Sequence, residues 1–194
     1  MLMDQGQFLR TKYEQGLSYE QFVMLGDPQG HRPPWDQRHH QLALTHEQKE
    51  LISSFTRSMH VLCLSGTWCG DCALQGSAMQ RVAEANPDKL HLRFLLRSDE
   101  HADLIVKCQI NGGFRVPVTW FLAEDFEPVY CFGDRTLSRY RSIARKALGS
   151  DIEAVMPPAP QDPVRQVLQE IIDEFERVHL LLRLSTRLRN QHSD

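Results

Sequence analysis

Two cysteines separated by two residues are the strongest chemical signal in this sequence. They are Cys69 and Cys72, in the stretch LCLSGTWCGDCALQG, where an apolar segment leads through Trp68 to the pair and a helix-like segment follows. Cysteines at this spacing can bind a metal, form a structural disulfide, or exchange electrons with other thiols. Each of these three chemistries requires different residues elsewhere in the chain.

The first two interpretations find little support elsewhere in the sequence. A structural zinc site needs about four ligands, usually in two close pairs. The chain has no second Cys-x-x-Cys, and its remaining cysteines, Cys63, Cys108 and Cys131, are isolated. A disulfide closing so short a loop constrains little of the unfolded chain, and structural disulfides are rare in reducing compartments. We therefore favour redox chemistry and predict neither a metal site nor a cofactor.

Redox chemistry needs two adjacent thiols, of which one is unusually nucleophilic. A strand ending at Thr67 and a helix beginning at Cys69 would supply both, because the free N–H groups and dipole of a helix N terminus favour a thiolate. Cys69 is therefore predicted to attack substrate disulfides. Cys72 lies one turn further into the helix, and is predicted to be the resolving thiol that attacks the mixed disulfide and releases the product.

Composition and charge exclude several other classes of function. The 194 residues can hold one well-cored domain with appendages. The formal charge of −3 is spread over both signs, which gives no support for a nucleic-acid partner. The amino terminus does not have the pattern of a signal peptide, no apolar run is long enough to span a membrane, and five cysteines do not form an even disulfide framework. A cytoplasmic protein with no membrane partner is expected.

Three regions are distinguished along the chain. Residues 1–45 are predicted to be a helical extension in which the segment GDPQGHRPP ends regular structure. Residues 46–150 are predicted to alternate strands and helices before two neighbouring strands and a helix, which indicates an α/β fold with a mixed central sheet flanked by helices. Residues 151–194 are predicted to be a linker and an amphipathic helix that either caps the domain or joins two chains in a homodimer.

Local signals support this division. Ser18 with Gln21, and Thr45 with Gln48, have the capping-box pattern of a helix start. A set of histidines around a tryptophan in the extension is irregularly spaced, which favours a solvated surface loop over a metal site. Cys63 and Cys131 fall on predicted strands, where free cysteines usually behave as small buried apolar residues. The histidine set comprises His31, His39, His40 and His46, with Trp35.

The motif TWCGDC after a strand, RVPVTWFL further on and FGD beyond it resemble the thioredoxin fold with its Trp-Cys-x-x-Cys site, over residues 46–149. The resemblance implies a disulfide between Cys69 and Cys72, shielded by Trp68. It also implies a cis peptide bond between Val116 and Pro117 that faces the cysteines, with the backbone of Val116 pairing with an extended substrate segment. The helical extension, the Asp between the cysteines and the Asn-Gly-Gly before Arg-Val-Pro resemble a bacterial thioredoxin-like family.

Three positions depart from thioredoxin itself. The family's buried carboxylate, which assists proton removal from the resolving thiol, is replaced by Cys63. The sequence therefore leaves the proton acceptor of Cys72 open. The family's helix-kinking proline is replaced by Ser77 and the basic residue after the second cysteine by Ala73, so that a straighter helix and a less positive site are expected.

The resemblance implies a protein thiol–disulfide oxidoreductase that acts on disulfide-containing proteins and is re-reduced by a reductase or a low-molecular-weight thiol. Gly70 and Asp71 would then border the bound substrate. Asp71 is predicted to face solvent and to disfavour the Cys69 thiolate, which predicts a reductant with a potential near or below about −270 mV. The alternative is an interaction or redox-sensing module whose extensions bind a partner, favoured by the missing carboxylate.

Overall fold

The fold is built on a four-stranded mixed sheet within residues 5–149, 152 and 155–194, which are the residues that the computed structural model describes. The strand order is β2-β1-β3-β4. β1 pairs with β2 in parallel, and the other two neighbouring pairs are antiparallel. The predicted mixed sheet with flanking helices is thereby confirmed. The strands are β1 Met59–Ser65, β2 Leu90–Leu96, β3 Val118–Leu122 and β4 Pro128–Phe132.

Helices surround this sheet and extend beyond it at both ends of the chain. Short 3-10 turns occupy Asp27–Gln29 and Asp99–His101. The predicted boundary between residues 150 and 151 lies outside the described residues. The α-helices are α1 Gln5–Glu14, α2 Tyr19–Met24, α3 Arg32–Gln41, α4 His46–Ser53, α5 Gly70–Ala85, α6 Ala102–Lys107, α7 Leu137–Leu148, α8 Pro163–Leu184 and α9 Thr186–His192.

Both predicted capping boxes are present. The hydroxyl oxygens of Ser18 and Thr45 each accept a hydrogen bond from the backbone of the glutamine three residues later, at the starts of α2 and α4. The segment GDPQGHRPP follows the end of α2, as predicted, but regular structure resumes within it, because Pro33 and Pro34 lie in the first turn of α3. A proline there loses nothing, since the first N–H groups of a helix have no partner within it.

The amino-terminal extension shares its core with the sheet. Phe22, Trp35 and Leu42 are fully buried in the same apolar cluster as Phe94 of β2. Helix α3 lies against α5 so closely that a side chain on Gly76 would come within 2.6 Å of the Trp35 ring. The extension therefore supports the helix that begins at the cysteine pair.

Helix α8 packs along α5, α7 and β4, so its main apolar row lies within the chain's own core. This arrangement corresponds to the capping alternative. Leu180, Leu181 and Leu184 face outward and are exposed. None of the described helices combines the length and the apolar character needed to cross a membrane. The buried row consists of Val167, Leu168, Ile171, Ile172, Phe175, Val178 and Leu182.

Candidate active site

Cys69 occupies the N-cap position of α5. Its Sγ accepts a hydrogen bond from the backbone N–H of Cys72 at 3.3 Å. The hydrogen bond from the Cys72 thiol, reinforced by backbone N–H groups of Cys72 and Asp71, lowers the pKa of Cys69 to about 6 although the residue is half-buried. Asp71 opposes this shift through its charge, but as the smallest of the named effects. Cys69 is therefore mainly a thiolate at neutral pH.

Cys72 is fully buried behind Cys69. Its Sγ accepts a hydrogen bond from the backbone N–H of Gly66 at 3.4 Å. Burial, followed by the hydrogen bond to Cys69 and the charge of that thiolate, holds the pKa of Cys72 well above its ordinary value. The two thiols thus differ strongly in ionisation, as an attacking and a resolving thiol require.

The residues near Cys72 bear on the question of its proton acceptor. Cys63, at the position of the missing carboxylate, is fully buried, and burial raises its pKa to about 12. Ser65 lies two residues later on β1, buried beside the Cys72 sulfur, where its hydroxyl acts to lower the pKa of that thiol. Among the described residues, the Ser65 hydroxyl has no hydrogen-bond partner that meets the usual distance and angle limits. Ser65 is thus a buried polar side chain next to Cys72.

Val116 brings its backbone close to the Cys69 sulfur. The carbonyl oxygen of Val116 lies 3.8 Å from Cys69 Sγ, and the Val116–Pro117 peptide bond is cis. Trp68 is 51% exposed and lies over Gly66, where an added side chain would come within 2.9 Å of the indole ring. The exposed indole of Trp68 therefore precedes Cys69 in the chain, and the backbone carbonyl of half-buried Val116 lies beside the Cys69 sulfur.

Asp71 does not face solvent, and the prediction that it would is wrong. The residue is 9% exposed because two arginines at the start of α7 cover its carboxylate. Asp71 accepts hydrogen bonds from Arg135 Nε at 2.7 Å and from Arg139 Nε at 2.5 Å. The negative charge beside Cys69 is therefore balanced by two positive charges.

A second buried carboxylate continues this charge network. Asp134 accepts hydrogen bonds from Arg135 Nη1 at 2.9 Å and from Arg115 Nη1 at 3.2 Å, and the Tyr140 hydroxyl also donates to it. Arg115 directly precedes the segment whose backbone faces the nucleophile. The network from Asp71 to Arg115 thus connects the cysteine turn to the opposite wall of the site.

The sequence and the fold now identify the family. Residues 17–143, more than half of the chain, match the thioredoxin family profile. The chain belongs to the thioredoxin family. This confirms the predicted thioredoxin-like fold. A search of curated protein sequences finds no match.

Two solved structures share the thioredoxin-family fold over most of their length. One is a protein of unknown function from Pseudomonas aeruginosa, with 16% identity, a TM-score of 0.66, and coverage of 91% of this chain and 97% of that one. The other is an HIV epitope scaffold, with 20% identity, a TM-score of 0.57, and coverage of 84% and 95%. At these identities the likeness concerns the fold.

The extension of this thioredoxin-family chain also reaches the site, which the sequence did not indicate. Trp35 Nε1 donates a hydrogen bond to the Thr67 carbonyl oxygen at 2.8 Å, and His31 Nδ1 lies 3.1 Å from Thr67 Oγ1. The prediction that Trp35 belongs to a solvated loop is therefore wrong. In the described part of the chain, no group of three or more His, Cys, Asp or Glu side chains is placed to hold a metal ion.

Proposed function

We propose that this protein catalyses thiol–disulfide exchange on protein substrates and acts as a reductant in the cytoplasm. The Cys69 thiolate attacks a substrate disulfide, forms a mixed disulfide with one substrate sulfur and releases the other as a thiolate. Cys72 then gives up its proton and attacks Cys69 Sγ, which releases the second substrate sulfur and leaves a Cys69–Cys72 disulfide. A reductase or a low-molecular-weight thiol returns two electrons and two protons to the pair.

The placement of the two neighbouring thiols carries this proposal, since the Cys69 sulfur caps the first turn of α5 and Cys72 is fully buried behind it. An accessible thiolate with a pKa of about 6 stands in front of a buried protonated thiol. A purely structural pair has no need for such a difference, whereas an attacking thiol works best when its pKa is close to the ambient pH. The Val116 carbonyl beside Cys69 supports a substrate that binds as an extended segment.

Replacing the resolving thiol tests the order of the two steps. Cys72→Ser is expected to accumulate a mixed disulfide between Cys69 and a substrate cysteine, because no internal thiol remains to release it. Reduced insulin B chain activated as a mixed disulfide with nitrothiobenzoate serves as the substrate, and non-reducing mass spectrometry measures the adduct. Cys69→Ser is the matched control, for which no adduct is expected. Equal adduct formation by both variants would contradict the assignment of roles.

The reduction potential tests the proposed direction of electron flow. A lower thiolate pKa stabilises the reduced form, and one pKa unit corresponds to about 30 mV for this two-electron couple. Thioredoxin combines a pKa of about 7 with a potential of about −270 mV. Because the pKa of Cys69 lies below that of the attacking cysteine of thioredoxin, the sequence-based expectation is revised upward, to a potential above about −270 mV.

The reduction potential is expected to shift in opposite directions when Asp71 is replaced and when one of its arginine partners is replaced. Asp71→Asn leaves the positive charges of Arg135 and Arg139 uncompensated and should raise the potential, whereas Arg139→Gln leaves more of the Asp71 charge uncompensated and should lower it. Equilibration in dithiothreitol or glutathione buffers measures both shifts. A wild-type value above about −200 mV would contradict a reductant, since isomerases lie at about −180 mV.

One observation favours the alternative function, an interaction module. The outer face of α8 exposes Leu180, Leu181 and Leu184 by 51%, 46% and 74%. A second copy of the chain or another protein could cover these side chains. One protein can have both functions. Replacing both active-site cysteines with serine distinguishes them, because a module that serves only for binding would still bind its partner.

A further inference from the structure

Cys108 and Cys131 lie on one face of the sheet. Cys131 in β4 is directly paired with Trp120 in β3, and directly paired residues of antiparallel strands have side chains on the same face. Trp120 belongs to a buried apolar cluster that includes Leu104 of α6, and Cys108 at the end of α6 packs against the same cluster. Pairing and packing therefore direct both thiols to the same side.

The strand neighbours of Cys131 give the same answer independently. Tyr130 and Phe132 pack against the other core cluster, so the alternation of side chains along a strand places Cys131 on the opposite face. The Cys108 thiol lies close enough to Cys131 to raise the pKa of that residue. Both residues are free thiols.

Solvent can reach this second pair. β4 is an edge strand of the sheet, Cys131 is exposed, and Cys108 is half-buried. The segment after Cys108 also touches the end of β4, because Ile110 Cδ1 lies 3.5 Å from the position that a side-chain carbon on Gly133 would occupy. A small oxidant can therefore meet two thiols that are already held next to each other.

We propose that Cys108 and Cys131 form a second redox-active dithiol, which hydrogen peroxide closes to an intramolecular disulfide. The Cys108 sulfur attacks one peroxide oxygen, which breaks the O–O bond, releases water and leaves a sulfenic acid. The Cys131 sulfur then displaces the sulfenic hydroxyl, which leaves as a second water with the Cys131 proton. The two thiols together lose two electrons, and one molecule of hydrogen peroxide accepts these electrons and is reduced to two waters.

The environment of Cys131 assigns the order of these steps. Although the residue is exposed overall, burial around its sulfur, followed by the adjacent Cys108 thiol, raises the pKa of Cys131 to about 12. Cys131 is thus a poor first nucleophile at neutral pH. The bond would fasten the end of α6 to β4 and so fix both ends of residues 109–116, the segment that carries the Val116 carbonyl to Cys69.

Peptide mapping of oxidised protein tests this proposal. The full-length Cys69→Ser/Cys72→Ser variant keeps three thiols and removes the active-site pair. After treatment with one equivalent of hydrogen peroxide and blocking of free thiols, trypsin should release peptide 108–115 linked to peptide 116–135, and dithiothreitol should separate them. Wild-type protein should give the same linked peptides once enough peroxide is added to oxidise Cys69 and Cys72 as well. Protein oxidised in urea should give a mixture of pairings that includes Cys63.

Single replacements in this background provide matched controls. Cys63→Ala should retain the linked peptides, whereas Cys131→Ser should lose them and leave a Cys108 sulfenic acid that dimedone labels. Three results would each overturn the proposal. They are the loss of both free thiols without formation of the linked peptides, a link to Cys63 in native protein, and links that form only between two chains. A yield in native protein no higher than that in urea would also overturn it.

Discussion

Iodoacetamide is expected to alkylate Cys69 before any other cysteine, with a rate that reaches half its maximum near pH 6. The reactive species is the thiolate, and the hydrogen bonds from Cys72 lower the pKa of Cys69 to about 6 from an ordinary value of 9.0. At pH 7 the Cys69 rate should therefore be about nine-tenths of its plateau, whereas a thiol with an unshifted pKa would be at about one-hundredth of its own.

The buried cysteines supply the contrast in this experiment. Burial raises the pKa of Cys63 to about 12 and holds that of Cys72 well above the ordinary range, so both should stay unlabelled in native protein at neutral pH. Labelling at a series of pH values, followed by quantitative peptide mapping, measures the profile. A midpoint at pH 8 or above for Cys69, or faster labelling of Cys72, would show that the attacking thiol is wrongly assigned.

Phe175→Ala is expected to lower the free energy of unfolding by about 3–5 kcal/mol, which is the usual cost of emptying a buried aromatic site. Phe175 is fully buried on α8, and its ring packs edge-on against Phe121 of β3 with a centroid distance of 5.1 Å. The carboxyl-terminal helix thus contributes directly to the core beneath the sheet.

Leu184→Ala is the matched control on the same helix. Leu184 is 74% exposed, so its replacement should change stability by no more than about 0.5 kcal/mol. Urea unfolding followed by tryptophan fluorescence measures both variants. If Phe175→Ala and Leu184→Ala cost equally little, α8 would be a detachable tail and not part of the domain.

The sequence predicted best those features that depend on neighbouring residues. The capping boxes at Ser18 and Thr45 and the start of α5 next to Cys69 follow from local hydrogen bonding or from short patterns. Pro33 and Pro34 were misjudged even though their signal is local, because prolines that end one helix also fit the first turn of the next.

The rest of the site depends on contacts between distant parts of the chain. Arg135 and Arg139 reach Asp71 across 64 and 68 residues, and Trp35 reaches Thr67 across 32. No periodicity or spacing in a single sequence reports such pairs. The exposure of Cys131 also contradicts the buried position predicted for it, because β4 lies at the sheet edge and strand order is a property of the whole fold.

Reduction of insulin disulfides with dithiothreitol as electron donor tests the central claim most directly. Wild-type protein should shorten the lag before the freed B chain precipitates, in proportion to its concentration. Cys69→Ser/Cys72→Ser should leave the lag at the value for dithiothreitol alone, and Cys131→Ser, which also removes a thiol, should retain the wild-type rate. A wild-type lag equal to that of dithiothreitol alone, or an undiminished rate in the double variant, would contradict a protein disulfide reductase that works through Cys69 and Cys72.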